Sequence, residues 1–289
     1  MAKNFGKVER DVLAMFKPGA IFVHNAQTYK VITAGKPGCR SGEPKTDIFV
    51  LTCSNQGEKG FKISVKKPNA DFLENKITAE RAEQIFGYNW KHVITTYTGQ
   101  IRNRFEALPL IYKNNVGKTR QGAITLGWKF ELVNKTGGNL SGLVDLTHEQ
   151  LLDVYAGINM SDSKKNAVVN NKVVKNSGVA DFLLIAAEFK SPQNVIDSLH
   201  NIDEYVKNNP NVFFACKALN YLTLKKVVGN KKKYDGNRPL SVAVDWHVGN
   251  GKLAHNLIFD QPLLNGGDTI AANLEKAMKE IGAKTTDDL

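Results

Sequence analysis

The sequence contains little cysteine and no long apolar stretch. Its three cysteines, Cys39, Cys53 and Cys216, are odd in number and have no C-x-x-C spacing, so they predict neither a disulfide framework nor a zinc site. Nowhere do about 18 apolar residues follow one another, which argues against a membrane span. The N-terminal residues also lack the apolar run of a secretory signal. We therefore expect a cytoplasmic protein in a reducing compartment.

Acidic side chains are outnumbered by basic ones. The chain has 39 Lys and Arg against 28 Asp and Glu, a formal net charge of +11. Residues 1 to 145 carry 22 basic and 12 acidic side chains, whereas residues 146 to 289 carry 17 and 16. A positive excess of this size favours a polyanionic partner. We expect the first half of the chain to be the part that is drawn to phosphate.

The apolar pattern of the first half predicts helices that flank strands. Apolar side chains recur at helical spacing over residues 4 to 16, and two strand patterns, "AIFVHN" and "TYKVITA", follow. In "TAERAEQIFG", Thr78 is a plausible N-cap and Gly87 a plausible C-terminal stop, which predicts another helix. This order of helix, strands and helix indicates an α/β core with a mixed sheet.

A turn-rich segment, "NKTGGNLSG" at 134 to 142, predicts a domain boundary. It would separate a core at residues 1–135 from a second α/β half at residues 140–289. In the second half, "LTHEQLLDVYAG" and "SPQNVIDSLHNIDEYVKNN" are predicted to be helices that begin at Thr147 and Ser191. A hairpin around "GNGK" and a C-terminal amphipathic helix complete the predicted elements.

The segment "GEPKTDIFVLTCSNQGEKGFKISVKK", residues 42 to 67, predicts two strands joined by a polar turn. A period of two places Lys62, Ser64 and Lys66 on one face of the second strand. Asp47 stands near the beginning of the first strand, which in a hairpin lies beside the end of the second, so Asp47 is expected close to Lys66. A carboxylate that holds a divalent cation beside a lysine that orients a water suits phosphodiester hydrolysis.

The sequence P-K-T-D, a hairpin and then S-V-K resembles the PD-(D/E)XK nuclease superfamily, in particular its type II restriction endonucleases, over roughly residues 1 to 90. This resemblance implies a PD-(D/E)XK nuclease-like α/β core and Mg²⁺-dependent cleavage of double-stranded DNA. Asp47 and Lys66 match the motif directly, and Glu9 in "KVERDVLAMF" matches a helical glutamate of that superfamily. The resemblance implies that Asp47 and Glu9 hold Mg²⁺ and that Lys66 positions the attacking water.

Ser64 departs from the motif, because the superfamily usually has Glu or Asp at this position. A neutral hydroxyl contributes less than a carboxylate to holding Mg²⁺, although it can bind a metal-bound water. Glu9 is the first candidate for the missing carboxylate, with Glu43, Asp71 and Glu74 in reserve. The alternative is a degenerate nuclease fold that binds DNA without cleaving it.

A rival motif lies in "VADFLLIAAEFK", residues 179 to 190, where Asp181, Glu188 and Lys190 form a literal D-x6-E-x-K match. No turn residue interrupts its apolar stretch. We therefore predict one continuous buried element, whose two acidic residues lie too far apart to share a cation. Because its E-x-K is intact where Ser64 breaks the other motif, it stays the alternative candidate site.

Two further nucleic-acid or nucleotide signals are weak. Asp245, His255 and Asn256 faintly resemble an HNH nuclease, but surface histidines of a hairpin are the better interpretation. The "GKT" at 117 to 119 lacks the first glycine of a P-loop, since residue 112 is Tyr.

Basic, turn-rich segments are expected to contact the DNA backbone. A homodimer is expected as well, because its two-fold axis would match a palindromic site. A structure-selective or RNA-directed nuclease would differ in substrate alone. The candidate DNA-binding residues are Arg40, Lys45, Arg102, Arg104, Lys118 and Arg120.

Overall fold

A computed structural model describes residues 5–66, 72–75, 77–185, 188–224 and 233–289, which form a mixed α/β fold. Its helices are α1 (Phe5–Leu13), α2 (Ala79–Phe86), α3 (Trp90–Gln100), α4 (Arg102–Glu106), α5 (His148–Ala156), α6 (Asp162–Lys165), α7 (Pro192–Asp197), α8 (Ile202–Asn208) and α9 (Gly267–Glu280), with a 3-10 turn at Thr286–Asp288. Its strands are β1 (Ile21–His24), β2 (Gln27–Gly35), β3 (Ile48–Ser54), β4 (Gly57–Lys66), β5 (Phe72–Glu74), β6 (Ile111–Tyr112), β7 (Ala123–Val133), β8 (Ser141–Val144), β9 (Val168–Val169), β10 (Lys172–Val173), β11 (Phe182–Ile185), β12 (Leu199–Asn201), β13 (Val212–Leu222), β14 (Pro239–Leu240), β15 (Val242–Gly249), β16 (Lys252–Ile258) and β17 (Asn265–Gly266).

The chain folds into two compact units, each built from two separate segments. The first unit comprises Met1–Ala70 and Leu146–Pro210, and the second comprises Asp71–Asp145 and Asn211–Leu289. A single boundary at 134–142, with parts at 1–135 and 140–289, does not describe this arrangement. The physical reason is strand pairing, because β7, which precedes that boundary, pairs along its length with β13, far beyond it.

The first unit contains a six-stranded sheet in the order β1-β2-β3-β4-β11-β12. Strands β1 to β4 follow one another as an antiparallel meander. Strand β11 then joins β4 in parallel, and β12 pairs antiparallel with β11. The strands therefore bring four chain ends to one end of this sheet, namely the end of β2, the beginning of β3 and the ends of β4 and β11.

Helix α1 and the meander share one apolar core. Val12 and Phe16, which follow the predicted helical spacing, are buried against Phe61 and Ile63 of β4 and against Leu184 of β11. Because alternate residues of a strand point to opposite faces, the burial of Phe61 and Ile63 directs Lys62, Ser64 and Lys66 to the other face. The sequence prediction for the faces of β4 is confirmed over the described residues, which end at residue 66 before the gap.

The second unit is organised around a sheet in the order β16-β15-β7-β13-β8, with β5 and β6 also paired to β7. Aromatic side chains fill its core, where the rings of Phe130 and Phe214 stack at 5.5 Å and those of Phe105 and Trp128 meet edge to face at 4.9 Å. Buried Glu131 pairs with Lys217 at 3.1 Å. Among the described residues, no helix is long and apolar enough to span a membrane.

Candidate active site

The β3–β4 hairpin places Asp47 beside Ser64. Ile48 lies opposite Ile63 in the ladder, and the backbone N–H of Asp47 donates to the carbonyl of Ile63 at 2.9 Å. The Asp47 carboxylate then accepts a hydrogen bond from the backbone N–H of Val65, at 2.7 Å from Oδ2. This bond occupies one carboxylate oxygen and fixes the side chain at the end of the strand pair.

Three further charged side chains act on this position. Lys66 at the end of β4 and Glu9 on α1 both interact electrostatically with Asp47, as does Lys36, the residue directly after β2. Lys36 Nζ donates to Glu9 Oε2 at 2.6 Å. Lys66, Glu9 and Lys36 therefore all lie near enough to Asp47 to act on its charge, and the first two are residues that the sequence singled out.

The Asp47 carboxyl lies in an environment that opposes its charge. Burial raises the pKa of Asp47 to about 6, and the nearby negative charge of Glu9 acts in the same direction. The Val65 N–H bond and the charges of Lys66 and Lys36 oppose this rise. Two acids that repel each other at a partly buried site are an arrangement that a divalent cation would relieve.

Ser64 has a buried hydroxyl that is unsatisfied. The residue is 1% exposed, and its Oγ has no hydrogen-bond partner among the described residues. An unsatisfied buried hydroxyl is costly, so such groups in native proteins call for an explanation, for example a water or an ion. Ser64 stands beside Asp47 at the position where the motif has an acid, which fits a hydroxyl that binds a metal-bound water.

The donors present fit Mg²⁺ better than a cation that needs a full protein cage. Among the residues that the structure describes, no group of three or more His, Cys, Asp or Glu side chains could hold a metal. Mg²⁺ keeps several waters and is commonly bound by one or two carboxylates together with substrate phosphates. The pair of Asp47 and Glu9, with the Ser64 hydroxyl nearby, meets this smaller requirement.

The reserve carboxylates divide between different places. Glu43 acts electrostatically on Lys36 and so lies near the site. Glu74 belongs to the second unit, where it forms an ion pair with Arg81 at 2.6 Å. Asp71 lies outside the described residues. Glu43 is therefore the reserve acid with a structural connection to the candidate site.

Lys36 was not identified from the sequence. It stands in the segment "AGKPG", where glycine and proline indicate a loop and a lysine has the ordinary appearance of a surface charge. The signal that could have identified Lys36 was its position directly after β2. The end of that strand lies beside the beginning of β3, which Asp47 directly precedes. The sequence also did not single out Thr46 as a residue near the candidate site. This threonine is buried, and its Oγ1 has no hydrogen-bond partner among the described residues.

The rival motif is spread along a strand. Asp181 lies before β11 and pairs with Lys62 at 3.0 Å, whereas Glu188 follows β11 and is exposed. Strand β11 therefore separates the two acids, as predicted. Its first three residues are buried, which agrees with the predicted buried element, but residues 186 and 187 lie outside the described part of the chain.

The histidines with HNH-like spacing lie on the predicted hairpin. In strands β15 and β16, His255 is opposite Trp246 and contacts its ring at 5.4 Å, while Asn256 is opposite Asp245. His247 Nδ1 lies 3.7 Å from a carboxylate oxygen of Asp245. Burial lowers the pKa of His255, and the charge of His247 acts in the same direction.

The candidate DNA-binding residues have different surroundings. Arg40 is exposed in the loop after β2, but Lys45 Nζ donates to the carbonyl of Val154 at 2.6 Å. In the second unit, the guanidinium of Arg102 lies 4.1 Å from the ring centre of Phe259.

The remaining candidates also belong to the second unit. Arg104 donates to the carbonyls of Asn139 and Ser141 at 3.1 and 3.3 Å. Lys118 and Arg120 are exposed in the loop between β6 and β7. Arg40, Lys118 and Arg120 thus have the more open surroundings, and DNA contact by any of the six residues stays a prediction.

Comparisons with known proteins do not assign the chain to a family. The chain matches no family model, no curated protein and no solved structure. The candidate site is therefore argued from its own residues.

Proposed function

We propose that this protein is a Mg²⁺-dependent endonuclease that hydrolyses phosphodiester bonds of double-stranded DNA, as a type II restriction endonuclease or a related bacterial or phage enzyme does. One observation carries the proposal. A partly buried aspartate, a helical glutamate and a lysine meet at one end of a β-hairpin, next to a buried hydroxyl without a partner. These side chains would suit metal-assisted hydrolysis of a phosphate ester, which supports the proposal.

Each side chain has a distinct task in the proposed reaction. Asp47 and Glu9 would hold Mg²⁺, which when bound lowers the pKa of a water and neutralises charge on the phosphate. Lys66, which acts on Asp47 from the end of β4, would position the attacking water and stabilise the developing charge. The Ser64 hydroxyl would hydrogen-bond a water at the ion. The Val65 N–H holds one oxygen of the Asp47 carboxylate at the end of the hairpin.

A cytoplasmic location and a homodimer belong to the same proposal. The described cysteines, Cys39, Cys53 and Cys216, are all free thiols, which suits a reducing compartment. Two copies related by a two-fold axis would place one site at each strand of a palindromic duplex. The positive net charge supports attraction to the DNA backbone in either copy.

The test is cleavage of a supercoiled plasmid in the presence of Mg²⁺. We expect the wild-type protein to cut, and we expect Asp47→Asn, Glu9→Gln and Lys66→Ala each to lower the rate by about 100-fold or more. Asp181→Asn and Glu188→Gln are the matched controls, since they remove acids of the rival motif, and their rates should stay close to wild type. Cutting that survives the changes at Asp47 and Lys66 would place the chemistry elsewhere.

A DNA-binding protein without catalysis is the second candidate. It is favoured by the lack of a third metal-binding side chain among the described residues and by Ser64 in place of an acid. A wild-type protein that binds duplex DNA but leaves the plasmid intact at millimolar Mg²⁺ would establish this alternative.

A further inference from the structure

Lys36 is the strongest unassigned feature near the candidate site. Its ammonium group is 2.6 Å from Glu9 Oε2, and the charges of Asp47 and Glu43 also act on it. One acid thus pairs with Lys36 and two more act on its charge, at the end of the strands where the metal ligands are proposed. No step of the proposed reaction uses this lysine.

The pair of Lys36 and Glu9 is suited to being broken. The Lys36 side chain is 48% exposed, whereas that of Glu9 is 17% exposed. An ion pair with one half-exposed partner contributes little net stability, because water competes for the ammonium group. The long lysine side chain can turn into solvent, while Glu9 stays with its helix and remains available to another cation.

We propose that Lys36 is the resident counter-ion of the metal site, which occupies Glu9 in the absence of a divalent ion and is displaced from it when Mg²⁺ binds. This inference rests on the proposed function, because it takes Asp47 and Glu9 as the ligands. Lys36 is then a positioning residue. Its charge keeps two neighbouring carboxylates tolerable in the metal-free protein and, for the same reason, weakens the affinity for Mg²⁺.

The competition between Lys36 and Mg²⁺ for Glu9 predicts the direction in which removal of Lys36 changes Mg²⁺ affinity. A positive charge beside a divalent ion repels it, and the ammonium group must also give up its hydrogen bond to Glu9 before that carboxylate can bind the ion fully. Removal of the charge should therefore tighten Mg²⁺ binding. One unit charge several ångströms away, at a partly exposed site, supports an effect of about tenfold in affinity.

The experiment is titration of the DNA-free protein with Mg²⁺, followed by calorimetry and by the shift of the unfolding temperature. We expect Lys36→Met to bind Mg²⁺ about tenfold more tightly than wild type. Lys36→Gln, which keeps a hydrogen-bond donor for Glu9 without the charge, should show most of this gain, and Lys36→Arg should stay near wild type. Lys207→Met is the control, because Lys207 pairs with Asp203 on the exposed face of helix α8.

The outcomes separate the two proposals. If wild type shows no Mg²⁺ response, or shows one that Asp47→Asn leaves unchanged, then the proposed metal site fails and this inference fails with it. If wild type responds and Asp47→Asn does not, but Lys36→Met and Lys36→Gln bind Mg²⁺ no more tightly than wild type, then the role of Lys36 alone is overturned. Circular dichroism of each variant establishes that it is folded.

Discussion

Asp47 lies in an environment that disfavours its ionised form. Its carboxyl is partly buried next to Glu9, and burial raises the pKa to about 6 from an ordinary value of 3.8. One pKa unit corresponds to about 1.4 kcal/mol, so ionisation of this group costs the fold roughly 2 to 3 kcal/mol near neutral pH. A ligand that binds the ionised form would recover part of that free energy.

The pH dependence of stability follows from the direction of this shift. The folded protein holds the Asp47 proton more tightly than the unfolded chain does, so the contribution of this group to stability falls as the pH rises from about 4 to about 6. Above about pH 6 the full free-energy cost of ionising Asp47 lowers the stability of the folded protein. Below about pH 4 Asp47 is protonated in both the folded and the unfolded protein, and this cost vanishes.

Asp47→Asn is therefore expected to stabilise the metal-free protein while it abolishes cleavage. An asparagine carbonyl can still accept the Val65 N–H, but it carries no charge. In urea unfolding with EDTA, the variant should gain roughly 2 kcal/mol over wild type at pH 8 and much less at pH 4. An equal gain at both pH values would contradict the raised pKa.

Ser64→Ala tests the unsatisfied hydroxyl. Because Ser64 Oγ has no protein partner among the described residues, its removal breaks no protein hydrogen bond and should leave the free energy of unfolding unchanged or slightly higher. If the hydroxyl holds a water at the ion, plasmid cleavage should fall roughly five- to tenfold, the worth of one hydrogen bond. If Ser64→Ala changes neither the free energy of unfolding nor the rate of plasmid cleavage, then Ser64 has no role in the site.

At the scale of elements, local signals in the sequence were reliable. Thr78 caps α2 by accepting from the N–H of Arg81, and Thr147, with Gln150, forms a capping box at the predicted start of α5. The β3–β4 and β15–β16 hairpins also occur as predicted. These features are decided by residues close together in the chain, so a single sequence is sufficient to identify them.

The predictions that differ from the structure depend on distant contacts. The segment from Ser191 to Asn209 was predicted as one helix, yet α7 ends at Asp197, and Leu199 begins a short strand that pairs with β11. Helical periodicity continues through this segment, but the open edge of β11 gives its backbone different partners. Lys36 was missed for the same reason, because its acidic neighbours come from α1 and from the loop that precedes β3.

Helix α5 offers a stability test at this scale. Thr147→Ala removes the side-chain half of its capping box and should lower the free energy of unfolding by about 1 kcal/mol. Thr28→Ala at an exposed position of β2 is the matched control, and it should change that free energy by less than about 0.5 kcal/mol. Chemical denaturation of both variants measures the difference. Equal free energies of unfolding for the two variants would show that the Thr147 cap does not stabilise the protein.

For the whole molecule, the two folded units redistribute the charge that the sequence placed in one half. Counted by unit, the first has 18 basic and 13 acidic side chains and the second has 21 and 15. Both units are therefore positive, and the strong asymmetry between the halves of the chain does not carry over to them. Phosphate contacts are expected from both units.

The double variant Lys118→Ala with Arg120→Ala tests the contribution of the second unit. In an Asp47→Asn background, which prevents cutting, it should weaken binding to all duplex sequences alike. The slope of log affinity against log salt should fall by up to about 2, since each phosphate contact contributes about 0.9. Lys207→Ala, in the first unit, is the control. An unchanged slope would place the loop between β6 and β7 outside the DNA interface.

The division of each unit into two segments limits how the protein can be shortened. Truncation after residue 135 would remove α5, β11 and β12 from the unit that carries Asp47, and it would leave β7 without β13. A shortened chain that keeps the whole unit around Asp47 would instead have to join residues 1–66 to 146–210 through an artificial linker, with the intervening segment treated as an insertion into that unit.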